Sequence, residues 1–439
     1  MSDREPITVR GPGDSWSTAV RLVAQWLDTG VRLDSLMESL PPGTDGATRS
    51  RAQHLVYGVV RHYGRVGSAL GRLIAHPPRF TTRAILFIAG YELIEAGSGA
   101  GDPGRRAKIV HHAVEKTKTL ASADEARLVN AVVRKLGTIL SSQEPPGAIT
   151  GADILAEYFS HPAWLVRRWL ATFGALPTRS LLEWNQAPAP VYARWRDRGQ
   201  EPPPWLQPTP WAKYFVVSSG HWGETEALLR AGTVYIQDPG TRLAVDLLAP
   251  QAGESVLDLC AAPGGKSLLI ADALGRGRVV AVDLPTARVD RLKENLARAT
   301  GVETAFAEAD LRSGLSEALL KHGLPGDYPG VLLDVPCSNT GVMRHRIDVR
   351  WRLQEGDFSQ HARQQAALLK AASRLVSANG RLVYSTCSID PAENGAVVDS
   401  FLDRHREFKL EKSVIAVPWI EGHDGAGAFL LRRDSSPRP

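Results

Sequence analysis

The sequence predicts an all-α domain over residues 1–140, a small α+β subdomain over 150–235, and a doubly wound α/β domain over 236–433. Three observations carry this expectation. Before Gly137, apolar residues recur at helical spacing with no convincing strand alternation. The middle segment is crowded with Pro and holds seven of the eleven tryptophans, from Trp164 to Trp222. From Val256 onward, short apolar runs end in a Gly/Pro turn, an aspartate or a cysteine, with helical stretches between them. That is the pattern of parallel strands joined by crossover helices.

Composition narrows the class first. At 439 residues the chain exceeds one ordinary core. With 43% hydrophobic and 23% charged residues it reads as a soluble globular protein, and a net charge of +5 suits a polyanionic partner without proving one. No run approaches a membrane span, so no membrane partner is expected. Met1 to Asp14 lacks the apolar core of a leader peptide. Three widely spaced cysteines argue against a disulfide framework and for a cytoplasmic location.

In the first part, Ala19, Val20, Val23, Trp26 and Leu27 mark one helix, with Gly30 as its stop. Further helices are predicted over Leu55–Val60, Ala84–Ile94, Ile109–Lys116 and Ala126–Leu136. Between Asp45 and Glu92 there is no acidic residue, yet Arg49, Arg51, Arg61, Arg65, Arg72, Arg79 and Arg83 fall there. A solvated helical face would explain such a run. Guanidiniums without carboxylates favour contact with phosphates instead. The His111-His112 pair reads as a helix feature, and no His/Cys cluster has metal-ligand spacing, so no metal is expected. Gly137–Ile149 reads as a linker. Val191–Trp195 and Tyr214–Val217 read as short strands, and the tryptophans around them as core rather than stacking platforms.

The third part opens at Gln237-Asp238-Pro239-Gly240 with a helix through Val245–Leu248, and Asp434–Pro439 reads as a disordered tail. Val256–Leu259 reads as a buried strand, followed by the turn Cys260-Ala261-Ala262-Pro263-Gly264-Gly265-Lys266 and a helix beginning near Ser267. Such a turn presents backbone N–H groups to an anionic ligand. A dinucleotide fingerprint needs three spaced glycines, and only Gly264 and Gly265 are present. A phosphate loop needs a glycine where Cys260 stands. An S-adenosylmethionine (SAM) pocket is the third reading. Val279–Val282 ends in Asp283, placed to receive ribose hydroxyls. Asp310 follows a weaker strand, Thr304–Ala307. Val331–Val335 leads through Asp334 to Cys337, and Arg381–Thr386 to Cys387, so two more strands deliver thiols where open sheets bind ligands.

Three stretches then resemble motifs of RNA 5-methylcytosine methyltransferases, in order and at fitting distances. They are Leu-Asp-Leu-Cys-Ala-Ala-Pro-Gly-Gly-Lys (257–266), Asp-Val-Pro-Cys-Ser-Asn-Thr-Gly-Val (334–342) and Tyr-Ser-Thr-Cys-Ser-Ile-Asp-Pro-Ala-Glu-Asn (384–394). Within that group the whole chain is most similar to the RsmB-type (Sun/NOP) ribosomal-RNA enzymes. Ser-Arg-Ala-Gln-His-Leu-Val-Tyr-Gly-Val-Val-Arg (50–61) and Leu-Val-Asn-Ala-Val-Val-Arg-Lys (128–135) resemble their NusB-like RNA-binding front domain. Two departures stand out. The aromatic pair that normally follows the late Asp-Gly is replaced by Ala426-Gly427-Ala428-Phe429, and Arg344-His345-Arg346-Ile347-Asp348 lacks a proline before its aspartate.

The resemblance implies a Rossmann-like SAM methyltransferase domain that modifies carbon 5 of a cytosine in small-subunit (16S) ribosomal RNA. Cofactor contacts would come from Cys260 to Lys266, with Asp283 on the ribose, Asp310 by the adenine, and Asp334 nearby. A thiolate added at carbon 6 makes carbon 5 enamine-like and able to take a methyl group. Chemistry alone leaves the nucleophile open between Cys337 and Cys387. The resemblance assigns attack to Cys387 and product release to Cys337. Asp334 would accept from the cytosine amino group, or else merely cap its strand. Lys266 would sit near the thiolate as a cation, or else be a solvated loop lysine. Arg49, Arg51, Arg61, Arg65, Arg344 and Arg346 are the expected RNA contacts. A transfer-RNA substrate, or an inert RNA-binding assembly factor, are the rival readings.

Overall fold

The structure is a computed structural model that describes residues 14–97, 103–147, 149–196 and 199–435. The N-terminal stretch up to residue 13, expected to carry no leader, and residues 436–439 of the expected tail lie outside them. Asp434 is held in place: its N–H donates to the Glu407 carbonyl and its carboxylate pairs with Lys409. The chain divides into two units, residues 1–187 with 347–352, and residues 188–346 with 353–439.

The first unit is built from α1 (Ser15–Thr29), α2 (Leu33–Glu38), α3 (Gly46–Gly71), α4 (Phe80–Gly97), α5 (Pro103–Leu120), α6 (Ala123–Ser141), α7 (Ala152–Tyr158), α8 (Ala163–Phe173) and α9 (Ala175–Gln186). Local chemistry sets the ends. Asp14 accepts the N–H groups of Trp16 and Ser17 to cap α1, which stops at Gly30 in the left-handed region. Ser122 accepts the Glu125 N–H to start α6. In α6, Ala126, Val129, Val133, Leu136 and Leu140 make one buried stripe. Helix α4 is buried almost all round, from Ala84 to Leu93, and forms the centre on which the others pack.

Three of the seven arginines in the acid-free run have carboxylate partners in the fold. Arg51 pairs with Glu92 at 2.7 Å, Arg72 with Glu157 at 2.8 Å, and Arg79 with Glu125. Arg61 is buried. Arg65 donates to Gln143 and to the Leu140 carbonyl and lies 4.3 Å above the Tyr158 ring. The carboxylates come from helices remote in sequence, so local acid depletion says nothing about local charge balance. Of the four expected contacts in this unit, Arg49 and Arg51 are exposed, and Arg51 is paired with Glu92.

The expected boundaries shift as well. Helix α6 runs through Gly137 to Ser141, so the linker begins later than expected. Helices α7–α9 belong with the first unit, tied by Arg65 N–H donating to Ser160 and by Gln186 reaching the Arg61 carbonyl. Residues 347–352 also belong to it. Ile347 lies in its core, and Asp348 accepts the Leu33 N–H. Trp351 donates to the Val60 carbonyl at 2.9 Å.

The second unit begins with a four-stranded antiparallel sheet, order β2-β3-β1-β4, from β1 (Tyr192–Trp195), β2 (Leu206–Pro208), β3 (Tyr214–Val217) and β4 (Val234–Ile236), with α10 (Trp222–Arg230). After α11 (Arg242–Leu248) come β5 (Ser255–Leu259), α12 (Gly265–Leu274), β6 (Gly277–Asp283), α13 (Val289–Ala297), β7 (Val302–Glu308), α14 (Leu315–Lys321) and β8 (Tyr328–Asp334). Past α15 (Val349–Arg352) in the first unit, the chain continues with α16 (Asp357–Ser373), β9 (Val376–Thr386), α17 (Gly395–Leu402), β10 (Phe408–Ala416), α18 (Pro418–Glu421) and β11 (Ala426–Arg433).

The large sheet has the order β10-β11-β9-β8-β5-β6-β7. Strands β9, β8, β5, β6 and β7 run parallel, while β11 and β10 are antiparallel additions. Alternation assigns the faces. Leu257, Leu259, Val331 and Leu333 enter one apolar cluster, and Val256, Val279, Leu332 and Val383 the other. With both faces covered, these strands read as continuous apolar runs. Strand order reverses between β5 and β8, which places the ligand crevice at their carboxyl ends.

Candidate active site

The glycine turn, Lys266, Asp283, Asp334, Cys337 and Cys387 lie at or just past the carboxyl ends of β5, β6, β8 and β9. Strand β5 ends in Cys260, whose positive φ of 59° turns the chain sharply into the loop. Gly264, at φ 98°, is the N-cap of α12, and a Cβ there would lie 2.9 Å from Leu292. The loop is held by Asn295, which donates to the Pro263 carbonyl, and by Asp283 at the end of β6. The Asp283 carboxylate accepts the Ala262 and Leu284 N–H groups, each at 2.7 Å. Burial pushes the Cys260 thiol up, in keeping with an inert lining residue.

Lys266, in the first turn of α12, reaches across the crevice to Asp334 at the end of β8, Nζ to Oδ2 2.7 Å. Burial works against the ammonium, but Asp334 outweighs it and keeps the lysine charged. The other Asp334 oxygen accepts from Ser385 Oγ at 2.7 Å. Beneath them lies Asp258, wholly buried. It accepts from Ser267 Oγ with one oxygen, while the other has no hydrogen-bond partner. Burial pushes its carboxyl up to about 7.

The two thiols meet. Cys337, just past β8, and Cys387, just past β9, have their sulfurs 3.0 Å apart. The contact with Cys387 and then burial push the Cys337 thiol well above the usual range, so it is held neutral. Cys387 is half-buried and donates to Asn339 Oδ1 at 3.2 Å. Glu393 ties the two cysteine loops together from below. Its fully buried carboxylate accepts the Ser338 N–H, the Ser338 and Ser388 hydroxyls, and Gln365 Nε2. Asn394 bonds Thr386 and the carbonyls of Ser388 and Asp390. It also fills the space beside Gly427, where a Cβ would lie 2.2 Å from its Oδ1. No bulky side chain fits there, which accounts for one departure after the late Asp-Gly.

Sequence reasoning assigned no role to Ser385, Asn339, Gln365 or Glu393. Glu393 and Asn339 stand inside quoted motifs, and an acid placed between a strand end and an apolar helix was a signal. Gln365, in mid-helix, gave none. Asp310 is half-buried and held by Arg312. Arg346 is exposed, whereas Arg344 donates to the Pro188 carbonyl. Asp238, His345 and Asp424 form a further group whose potential ligand atoms lie within 4.8 Å of one another. They come from three separate loops, beyond the reach of spacing arguments. His345 already pairs with Asp424 at 3.0 Å, and Asp238 accepts the Gly240 and Asp424 N–H groups.

Residues 245–423 match the family described as 16S rRNA methyltransferase RsmB/F, and residues 16–137 match the NusB family. The chain carries an RsmB/F methyltransferase domain behind a NusB-family domain. Similarity to curated relatives extends over most of the chain. It is 29% identical over 408 residues to the ribosomal RNA small subunit methyltransferase B of Serratia proteamaculans, covering 90% of this chain and 91% of that protein. It is 28% identical over 440 residues to the protein of the same name in Yersinia pestis, covering 95% and 97%. Among solved structures, that of PH0851 superposes with a TM-score of 0.74 at 20% identity, covering 96% of this chain and 99% of that one. NSun6 from Pyrococcus horikoshii with SFG gives 0.52 at 18% identity, covering 63% and 99%. At those identities the structures testify to the fold. Among the described residues, no helix is long and apolar enough to cross a membrane.

Proposed function

We propose that this RsmB/F-family protein is a SAM-dependent ribosomal-RNA methyltransferase that modifies carbon 5 of a cytosine in small-subunit RNA through a covalent adduct with Cys387. The observation that carries the reading is the meeting of two thiols, 3.0 Å apart, beside the Lys266–Asp334 pair at the switch point of the sheet. The RNA substrate comes from the names of the family and of the curated relatives. The cytoplasm, where free thiols stay reduced, is the proposed location.

The residues fit SAM. Adjacent glycines open α12, Asp283 faces the turn from β6, and the partnerless oxygen of buried Asp258 can receive a cationic group. When bound, SAM supplies an electrophilic methyl group. Residues 260–266, Asp283 and Asp310 would hold it, and the chain's own side chains do the rest. Cys387, as thiolate, adds to cytosine carbon 6, and the displaced electron pair activates carbon 5. Lys266 offers positive charge close to that sulfur. Asp334, oriented by Ser385 and Lys266, accepts from the base amino group and so discriminates against uracil, which lacks that donor. Loss of the carbon-5 proton returns the electron pair and expels Cys387, with the neutral Cys337 thiol placed to assist release. The target base must be unstacked to enter.

Replacing Cys387 with alanine abolishes methyl transfer while calorimetric SAM binding persists; undiminished turnover rejects the assignment. Replacing Cys337 with alanine accumulates an enzyme–RNA adduct stable on denaturing gels, and absence of that adduct removes its release role. Bisulfite sequencing of RNA from a deletion strain tests both the position and the class of RNA.

A further inference from the structure

Asn339 bonds to both cysteine loops, reaching the Cys387 sulfur itself. Its Nδ2 donates to the Cys337 carbonyl at 2.8 Å, and its Oδ1 accepts from the Cys387 thiol at 3.2 Å. The first bond fixes which end of the amide is which. An amide nitrogen facing a carbonyl is the donor, so the oxygen must face the sulfur. The residue also sits at φ 60°, a left-handed conformation that asparagine tolerates better than most residues. The loop is fixed by Gly341 N–H donating to the Cys387 carbonyl, so the amide cannot drift from the sulfur.

We propose that Asn339 is a positioning residue that holds the resting Cys387 thiol in a single rotamer through the S–H···Oδ1 bond. A fixed acceptor bonds S–H and has nothing to offer S⁻, since a carbonyl lone pair and a thiolate repel each other. The nucleophile is therefore restrained until Lys266 and an entering base displace the bond. This rests on Cys387 being the attacking sulfur, but it concerns the sulfur's own reactivity and is read without RNA.

The test is alkylation of Cys387 by iodoacetamide at pH 7.5, followed by mass spectrometry of its peptide, in wild type, Asn339→Gly and Asn339→Asp. Glycine adopts the same φ freely, so N339G removes the amide and spares the loop. One lost hydrogen bond predicts alkylation about fivefold faster in N339G. N339D presents a charged acceptor to the same sulfur and predicts alkylation slower than wild type. With RNA, N339G lowers kcat and leaves KM for RNA unchanged, because the rotamer is lost and the RNA surface is not. Opposite movements of the two alkylation rates support the role. Equal rates, or movement in the same direction, overturn it. Absence of methylcytosine from RNA treated with wild-type enzyme would instead count against the proposed reaction and leave the alkylation result standing.

Discussion

Asp258 sits at the centre of a parallel strand, wholly buried, with a single hydroxyl partner. Burial, and to a lesser degree Asp334, raise its folded value from the ordinary 3.8 to about 7. A raised folded value means that the stabilising contribution is complete below about 4 and is lost as pH rises through about 7. Asp258→Asn keeps an acceptor for Ser267 and removes the titration. Thermal melts between pH 5 and 8 are expected to show wild type losing stability relative to D258N, by a difference of roughly 2–4 kcal/mol. Parallel curves would mean that Asp258 is charged in the fold throughout. Glu393 is the contrasting case, a buried carboxylate with four donors. Glu393→Ala strands those donors and predicts a loss of about 3 kcal/mol with displacement of both cysteine loops. Urea melts and Cys387 alkylation check it.

At the scale of elements, the strand–turn–helix unit of β5 and α12 sets where the ligand can sit. Gly264 combines a left-handed φ with close approach to Leu292, so any side chain is strained there. Gly264→Ala predicts about 1–3 kcal/mol of destabilisation and weaker SAM binding, because the turn that presents the N–H groups must shift. Calorimetric titration of the folded variant measures the second effect. Strand β5 and the turn were legible because a fully buried strand leaves a continuous apolar run, and because adjacent glycines punctuate the chain. Strand β7 was weakly legible. At a sheet edge, all its residues but Ala307 are exposed or half-buried, so its apolar signal is diluted.

The whole molecule shows where local reading stopped. Residues 347–352 follow the Pro-Cys motif in sequence, yet they pack in the helical unit, with Ile347 and Arg350 fully buried there. Trp351→Ala removes a ring packed against Tyr63 and a hydrogen bond to the Val60 carbonyl. It predicts a loss of about 3 kcal/mol from that unit. Hydrogen exchange in α3 and α4 reads the effect locally, and unchanged protection would contradict it.

Motif order, the all-helical front, the doubly wound sheet and the three cysteines at strand ends were determined by the sequence alone. Each rests on periodicity or on short, fixed spacing. Only the tertiary structure decided that Arg51, Arg72 and Arg79 pair with carboxylates from distant helices, that Glu393 joins the two thiol loops, and that Asp238, His345 and Asp424 form one cluster. The physical reason is common to all three: charge pairing and hydrogen bonding act through space over a few ångströms, and the chain brings together groups that lie dozens of residues apart.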